Sequence, residues 1–250
     1  MRKELALIAI AHRGTYVHQS SPASASHLIA GVLKGLQKRR PAVFNIYTPC
    51  PVEHGLADDW SQHSARLALE ARAFPFLTFD PDAGSSVADC LDLSGNPSLE
   101  SAWPEYELRY DADGVEQVMT LPLTIADWAA TEGRFKKHFK EIKQVTDDLL
   151  PFHEYLALDA EGRDGKVPFI YTRGGDKKLH RLKVSEEMVR LAEERQQFWA
   201  ELKEMAGVEQ PASVREAMTA SLEAEFEAKA AALTQEYEQR IANLKATYPT

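Results

Sequence analysis

A cysteine framed by two prolines is the residue whose type and setting most directly indicate chemistry in this sequence. Cys50 lies between Pro49 and Pro51, directly after an apolar run at residues 42–47 that predicts a buried strand. A thiolate is a nucleophile and a metal ligand, and parallel sheets bind ligands where their strands end. The prolines restrict the backbone, which suits a ligand held in one place. On residue chemistry alone, the competing interpretation is a packed structural thiol.

The residues that could accompany Cys50 give weaker signals. His54 follows it by four positions and is a candidate general base for a Cys50 nucleophile. This spacing falls in a proline-bound loop, so the two side chains need not meet. Cys90, in VADCLDL, has no comparable setting, and we expect it to be structural. Two cysteines cannot by themselves form a disulfide framework or a four-thiolate metal site.

Two carboxylate-rich stretches, DPDAG at 80–84 and DAEGRDG at 159–165, are better explained as turns than as cation sites. Neither has acids at alternate positions followed by a glutamate at the twelfth, which a calcium loop requires. The sequence also contains no Walker loop, no G-x-G-x-x-G and no G-x-S-x-G. Phosphate cradles and the esterase nucleophile elbow are therefore not indicated.

Composition places the chain among globular proteins and argues against nucleic acid as its ligand. The 250 residues are 44% hydrophobic and 27% charged, with a formal net charge of −9. Phosphate-backbone binding needs clustered basic residues. The start, MRKELALIAIAHRG, lacks the features of a signal peptide and ends too soon for a membrane span of about 20 apolar residues. We expect a cytoplasmic protein that binds neither nucleic acid nor membrane.

Hydrophobic spacing predicts an α/β arrangement over the first 145 residues. The predicted elements are a helix or strand at 5–11, a strand at 15–19, a helix capped by Ser24 or Ser26 and stopped by Pro41, a strand at 42–47, a helix opening at Ser61 or Ser64, a strand at 74–79, weak strands at 107–110 and 115–121, and a helix at 124–142. Strand, helix and strand over residues 15–47 predict a βαβ crossover, and we expect residues 74–79 to join the same parallel sheet.

The remaining chain reads as a small β meander followed by helices. Short strands are predicted at 155–158, 167–171 and 179–184, separated by turns rich in glycine and aspartate. Ser185 caps a helix that continues to about Ala206, and Pro211 opens a last helix to about Ala246. The apolar positions of this last helix have near-helical but imperfect spacing, which leaves a coiled coil open. The expected parts are thus residues 1–145, 146–184 and 185–250.

Three stretches of the first part together resemble a known enzyme family. They are AHRGTYVHQSS at 11–21, RRPAVFNIYTPCPVEHG at 39–55 and RAFPFLTFDPDAG at 72–84. These segments resemble pyruvate:ferredoxin oxidoreductase and related 2-oxoacid:ferredoxin oxidoreductases, at the C-terminal end of the half that binds thiamine diphosphate. The resemblance implies that residues 1–145 are part of a thiamine-diphosphate-binding fold, a parallel sheet with flanking helices. The later residues look like a C-terminal extension.

The resemblance implies oxidative decarboxylation of a 2-oxoacid with coenzyme A as acyl acceptor. Members of the family use thiamine diphosphate with Mg²⁺ and pass electrons through [4Fe–4S] clusters to ferredoxin or flavodoxin. Cys50 matches the position of one ligand of the cluster nearest the thiamine, and its other three ligands lie upstream in the family.

The sequence departs from the complete family pattern in two ways. It has no Gly-Asp-Gly segment to hold Mg²⁺ and the diphosphate, and it lacks the three other cluster cysteines. We therefore expect a C-terminal fragment or split subunit that completes the oxidoreductase with its upstream part or other subunits, is inactive alone and is part of an oligomer. The alternative is a non-catalytic assembly module, or a remnant whose helices bind a partner.

Overall fold

The computed structural model describes residues 3–210 and 212–247, which form a mixed α/β arrangement with C-terminal helices. The helices are α1 (Leu5–Ile10), α2 (Ala25–Leu36), α3 (Pro51–His54), α4 (Ser61–Glu70), α5 (Val87–Cys90), α6 (Ile125–Ala130), α7 (Phe152–Ala157), α8 (Glu186–Met205) and α9 (Ala212–Thr247), with a 3₁₀ helix at Gly133–His138. The strands are β1 (Tyr16–Ser20), β2 (Ala42–Ile46), β3 (Leu77–Phe79), β4 (Leu91–Asp92), β5 (Glu105–Ala112), β6 (Val115–Pro122), β7 (Phe139–Glu141), β8 (Leu149–Pro151), β9 (Val167–Arg173) and β10 (Leu179–Val184).

The first sheet has the strand order β2-β1-β3-β4 and contains the predicted crossover. Strands β1 and β2 are parallel, with Tyr16 opposite Ala42, and α2 connects them, so the βαβ prediction is confirmed. The prediction that residues 74–79 join a parallel sheet is wrong, because β3 is antiparallel to β1 and β4 is antiparallel to β3. An apolar run predicts a strand but carries no information about its direction, which depends on where the preceding chain reaches the sheet.

Helix α2 packs closely on this sheet because two glycines face it. A Cβ atom on Gly31 would lie 2.0 Å from the ring of His18, and one on Gly35 would lie 2.7 Å from the rings of Phe44 and Tyr16. Of the two caps predicted, Ser24 and Ser26, it is Ser24 that caps the helix by accepting a hydrogen bond from the His27 amide.

The second sheet has the order β7-β10-β9-β8 and differs from the predicted meander. Its hairpin β9–β10 is antiparallel as expected, but β8 runs parallel to β9. Residues 155–158 are not a strand, since most of them belong to α7, where Phe152 and Leu156 are buried one helical turn apart. A third sheet is the hairpin β5–β6.

The prediction of one long helix at residues 124–142 is also wrong. Helix α6 ends at Ala130, the 3₁₀ helix follows from Gly133, and Phe139–Glu141 pairs with β10 as strand β7. Gly133 disfavours a continuous helix, because glycine is a poor residue for a helix interior. The backbone groups of residues 139–141 form their hydrogen bonds with β10, some 40 positions later, and do not need a local helix.

Residues 1–208 cluster as one compact unit in which α8 contributes to two hydrophobic clusters. Met188 and Ala192 pack with α6 and α7, whereas Trp199 and Leu202 pack with α1, β1 and β3. Cys90 is 7% exposed and belongs to the second cluster, in keeping with a structural thiol. Helix α8 begins after Ser185, whose hydroxyl accepts from the Met188 amide, as predicted.

Residues 209–250 cluster as a second unit that contains α9. The predicted last helix is confirmed over Ala212–Thr247, while its predicted first residue, Pro211, lies outside the described residues. Its large apolar side chains are 40–76% exposed. No helix in the described parts of the chain combines the length and apolar character that crossing a membrane requires.

Candidate functional site

Cys50 lies at the N-cap of α3, four residues beyond the end of β2, and is exposed. Tyr47 continues the ladder after β2 by donating its amide hydrogen to the Ser20 carbonyl at 3.0 Å. Pro49 is buried, and Pro51 takes the first position of α3, where its missing amide hydrogen costs nothing. The thiol is therefore presented at the carboxyl end of an edge strand by a loop that is anchored on both sides.

A glycine contact fixes the other end of this loop. Helix α3 ends at Gly55, whose φ of +65° is a left-handed conformation that glycine adopts at little cost. A Cβ atom at this position would lie 3.0 Å from the Cα atom of Gly133. The Cys50 loop and the start of the 3₁₀ helix consequently approach each other backbone to backbone.

Behind the loop lies a buried carboxylate, Glu132, which is 1% exposed. One of its oxygens accepts hydrogen bonds from the Ser64 hydroxyl at 2.9 Å and from the Tyr47 hydroxyl at 3.3 Å. Arg134 donates to the other oxygen at 2.6 Å and balances its charge. Burial, followed by the negative charge of Glu132, raises the pKa of Tyr47 well above its usual range, so this hydroxyl remains a donor.

His54 contributes to this cluster and not to an evident catalytic pair with Cys50. Its Nδ1 atom lies 3.3 Å from Oε1 of Glu132, and its ring stacks against Tyr47 with centroids 6.0 Å apart. Only 8% of the residue is exposed. His54 therefore packs beneath the Cys50 loop and contacts the Glu132 cluster.

Sequence reasoning identified Cys50 but missed the side chains that support it. Ser64 and Tyr47 meet Glu132 across 68 and 85 positions of the chain, so no local spacing could have revealed the cluster. The signal present in the sequence was a pair of glycines, Gly55 and Gly133, at points where the chain turns.

The described residues do not build a metal centre around Cys50 by themselves. Across residues 3–210 and 212–247, no three or more His, Cys, Asp or Glu side chains are grouped so that they could hold a metal ion. A [4Fe–4S] cluster takes four cysteine thiolates, of which Cys50 could be one, since its exposure leaves it open to ligands from elsewhere. Its assignment as a cluster ligand stays a prediction.

A second polar site, which the sequence did not reveal, lines a cavity of about 620 Å³ between β5, α4, α6 and β9. Burial raises the pKa of Asp127 there to about 6. Its carboxylate accepts hydrogen bonds from the amide and hydroxyl of Thr124, and from the Tyr106 hydroxyl at 3.3 Å. The carboxylate thereby caps α6 and joins the β5–β6 hairpin to that helix, which is a structural task.

Comparison with known proteins does not assign this chain to a family. No protein-family model matches it, and no curated protein matches its sequence. Its function is therefore argued from the residues and geometry described above.

Proposed function

We propose that this chain forms part of the thiamine-diphosphate half of a 2-oxoacid:ferredoxin oxidoreductase and contributes Cys50 as one ligand of a [4Fe–4S] cluster. The observation that carries the proposal is the position of Cys50: exposed, between two prolines, at the carboxyl end of a parallel strand that follows a βαβ crossover. The three sequence stretches that resemble the family contribute β1, β2 with the Cys50 loop, and β3.

The surface around β2 supports an association with further protein. Strand β2 is the last strand of its sheet, and no described strand pairs with its outer edge. On α2, which connects β1 to β2, Ile29, Leu33 and Leu36 are 57%, 55% and 70% exposed. An unpaired strand edge is a template for pairing with another chain, and exposed apolar side chains are typical of a surface that another protein covers.

The two cofactors require residues from the rest of the enzyme, in another chain or in another part of the same protein. Thiamine diphosphate would stabilise the carbanion formed on decarboxylation, and the cluster would accept the electrons. The described residues offer the cluster one thiolate, held by Pro49, Pro51 and the contact of Gly55 with Gly133. Without the remaining ligands the chain should be inactive by itself.

The test is a comparison of the two cysteines in the assembled enzyme. The chain would be co-produced with a neighbouring polypeptide that carries Gly-Asp-Gly and the remaining cluster cysteines, and iron content and the electron paramagnetic resonance of the reduced complex would be measured. Cys50→Ala should lower cluster occupancy or shift its potential, because the ligands set both. Cys90→Ala, the matched control, should leave the cluster signal unchanged.

If Cys50→Ala left the cluster signal and electron transfer to ferredoxin intact, Cys50 would not be a ligand. A second candidate function, a non-catalytic assembly module, would then be preferred. The exposed apolar side chains of α9 favour that candidate, since they suit a helix that binds protein. An assembled complex with no iron and unchanged composition in the Cys50 variant would identify it.

A further inference from the structure

Helix α9 carries an 11-residue repeat. Leu222, Leu233 and Leu244 are spaced by eleven, as are Phe226 and Tyr237. The same interval relates Ala230 to Ile241 and the charged pairs Glu225/Glu236, Glu227/Glu238 and Lys229/Arg240. Eleven residues make three turns of 3.67 residues, so repeated positions stay on one face along the helix.

We call the face formed by these apolar residues the seam of α9. Leu222, Phe226, Leu233, Tyr237 and Leu244 are between 54% and 76% exposed. A helix of 36 residues extends about 54 Å, and helices of this kind draw most of their stability from packing of an apolar face. An 11-residue repeat is typical of helices that wind around another long helix in a right-handed supercoil.

We propose that α9 pairs with α9 of a second copy of this chain, antiparallel and centred on Leu233. In this register Leu233 faces its own counterpart, and Leu222 faces Leu244 of the second copy. Phe226 then lies within one residue, about 1.5 Å along the axis, of the level of Ile241, and Ala230 lies equally near the level of Tyr237. Each large aromatic side chain thus meets a smaller one, which keeps the two helices evenly spaced. A parallel pair would place Phe226 on Phe226 and Ala230 on Ala230, with a wide layer next to a narrow one.

The charged residues along one edge of the seam also favour the antiparallel register centred on Leu233. Glu225, Lys229, Glu236 and Arg240 follow one another along this edge, and Lys229 bonds Glu225 of its own helix at 2.6 Å. When two copies of α9 run antiparallel about Leu233, Glu225 of one copy lies beside Arg240 of the other. Lys229 lies beside Glu236 of the other copy. All four contacts along this edge join opposite charges.

The other edge opposes the pairing and provides a second test. There Glu227 of one copy lies within one residue of the level of Glu238 of the other, so like charges approach each other twice. Such repulsion is screened by salt and would weaken the dimer most at low ionic strength. Glu227→Lys should convert both contacts into attractions and lower the dimer dissociation constant several-fold, as measured by sedimentation equilibrium.

Cysteine cross-linking of the full chain tests the register. In a Cys50→Ser background the remaining native thiol, Cys90, is buried. Under mild oxidation Leu233→Cys should give a covalent dimer, because its two copies meet at the axis. Leu222→Cys alone should not, since its copies would be about 33 Å apart at 1.5 Å per residue. The double variant Leu222→Cys/Leu244→Cys should cross-link again.

Sedimentation of the unmodified chain provides the independent readout, with an expected mass of twice 28.0 kDa. Cross-linking of both single variants would show a parallel pair and overturn the proposal. A monomer, or a dimer in which Leu233→Cys fails to cross-link, would also overturn it.

Discussion

At the scale of single residues, two histidines are packed against each other where the first sheet meets α2. The rings of His18 and His27 lie 4.8 Å apart, and His27 stacks on Phe76 at 4.5 Å. His18 is 1% exposed and shares a hydrogen bond of 2.9 Å with the Thr78 hydroxyl. Burial, reinforced by the neighbouring His27, lowers the pKa of His18 to about 4.

This histidine predicts an acid-sensitive fold. The unfolded chain binds the proton with a pKa near 6.5 and the folded chain only near 4, so the stabilisation is complete above pH 6.5 and is lost as the pH falls to 4. At 1.36 kcal/mol per pKa unit, the loss is about 3 kcal/mol at most. Denaturant unfolding between pH 4 and 7 measures it.

The control for this prediction compares His18 with an exposed histidine. His18→Gln should flatten the dependence of unfolding free energy on pH in this range, although it costs stability overall. His12→Gln, at an exposed position, should keep the slope of the unmodified protein. Equal slopes for all three proteins would show that His18 does not titrate abnormally.

At the scale of elements, the Cys50 loop shows how a short connection is held in place. Its helix α3 has four residues and little stability of its own. Helix α3 is stabilised by the close approach of Gly55 to Gly133 and by the Glu132 cluster behind it. The position of the thiol therefore depends on contacts made by the chain around residues 132–134.

Substitution of Gly55 tests this dependence. Gly55→Ala adds a Cβ atom 3.0 Å from backbone and forces alanine to φ +65°. Gly114→Ala is the matched control, because Gly114 has φ +84° but no atom within 4 Å of an added Cβ. We expect a loss of about 1 kcal/mol at Gly114 from the left-handed backbone alone. Gly55→Ala should cost at least about 1 kcal/mol more, from the clash; equal losses in denaturant unfolding would contradict a tight contact.

At the scale of the whole molecule, one flank of residues 1–208 combines a sheet edge with exposed apolar side chains. Strand β2 has an outer edge that no described strand pairs, and it is preceded along the chain by the exposed side chains of α2 and followed by the Cys50 loop. Elsewhere in this unit α8 joins both hydrophobic clusters through Met188 and Trp199. The unit therefore has a well-packed interior and, on one flank, a strand edge whose backbone groups are available for pairing.

Polar substitutions on this flank should separate folding from assembly. The double variant Ile29→Gln/Leu33→Gln changes two exposed side chains, so the unfolding midpoint should move little. Binding to the rest of the proposed enzyme should fall at least ten-fold, measured by pull-down and titration. Val115→Gln, equally exposed on the β5–β6 hairpin, is the control and should bind normally. Normal binding by the double variant would exclude α2 from the interface.

The sequence by itself determined the features that depend on neighbouring residues. Ser24 and Ser185 indicated helix starts because a cap bonds an amide within one turn, and the run at 42–47 indicated a strand because its apolar side chains are adjacent. The position of Cys50 between two prolines was also evident from the sequence, and the chemistry proposed for Cys50 depends on that position.

Only the tertiary structure decided the features that join distant residues. The direction of β3, the conversion of residues 139–141 from helix to strand, and the cluster of Glu132 with Ser64 and Tyr47 all depend on partners tens of positions away. Such contacts follow from the packing of whole elements, and no local pattern encodes them. Short-range hydrogen bonds and side-chain periodicity depend on consecutive residues. Strand direction and buried polar partners depend on how the sheets and helices pack against each other.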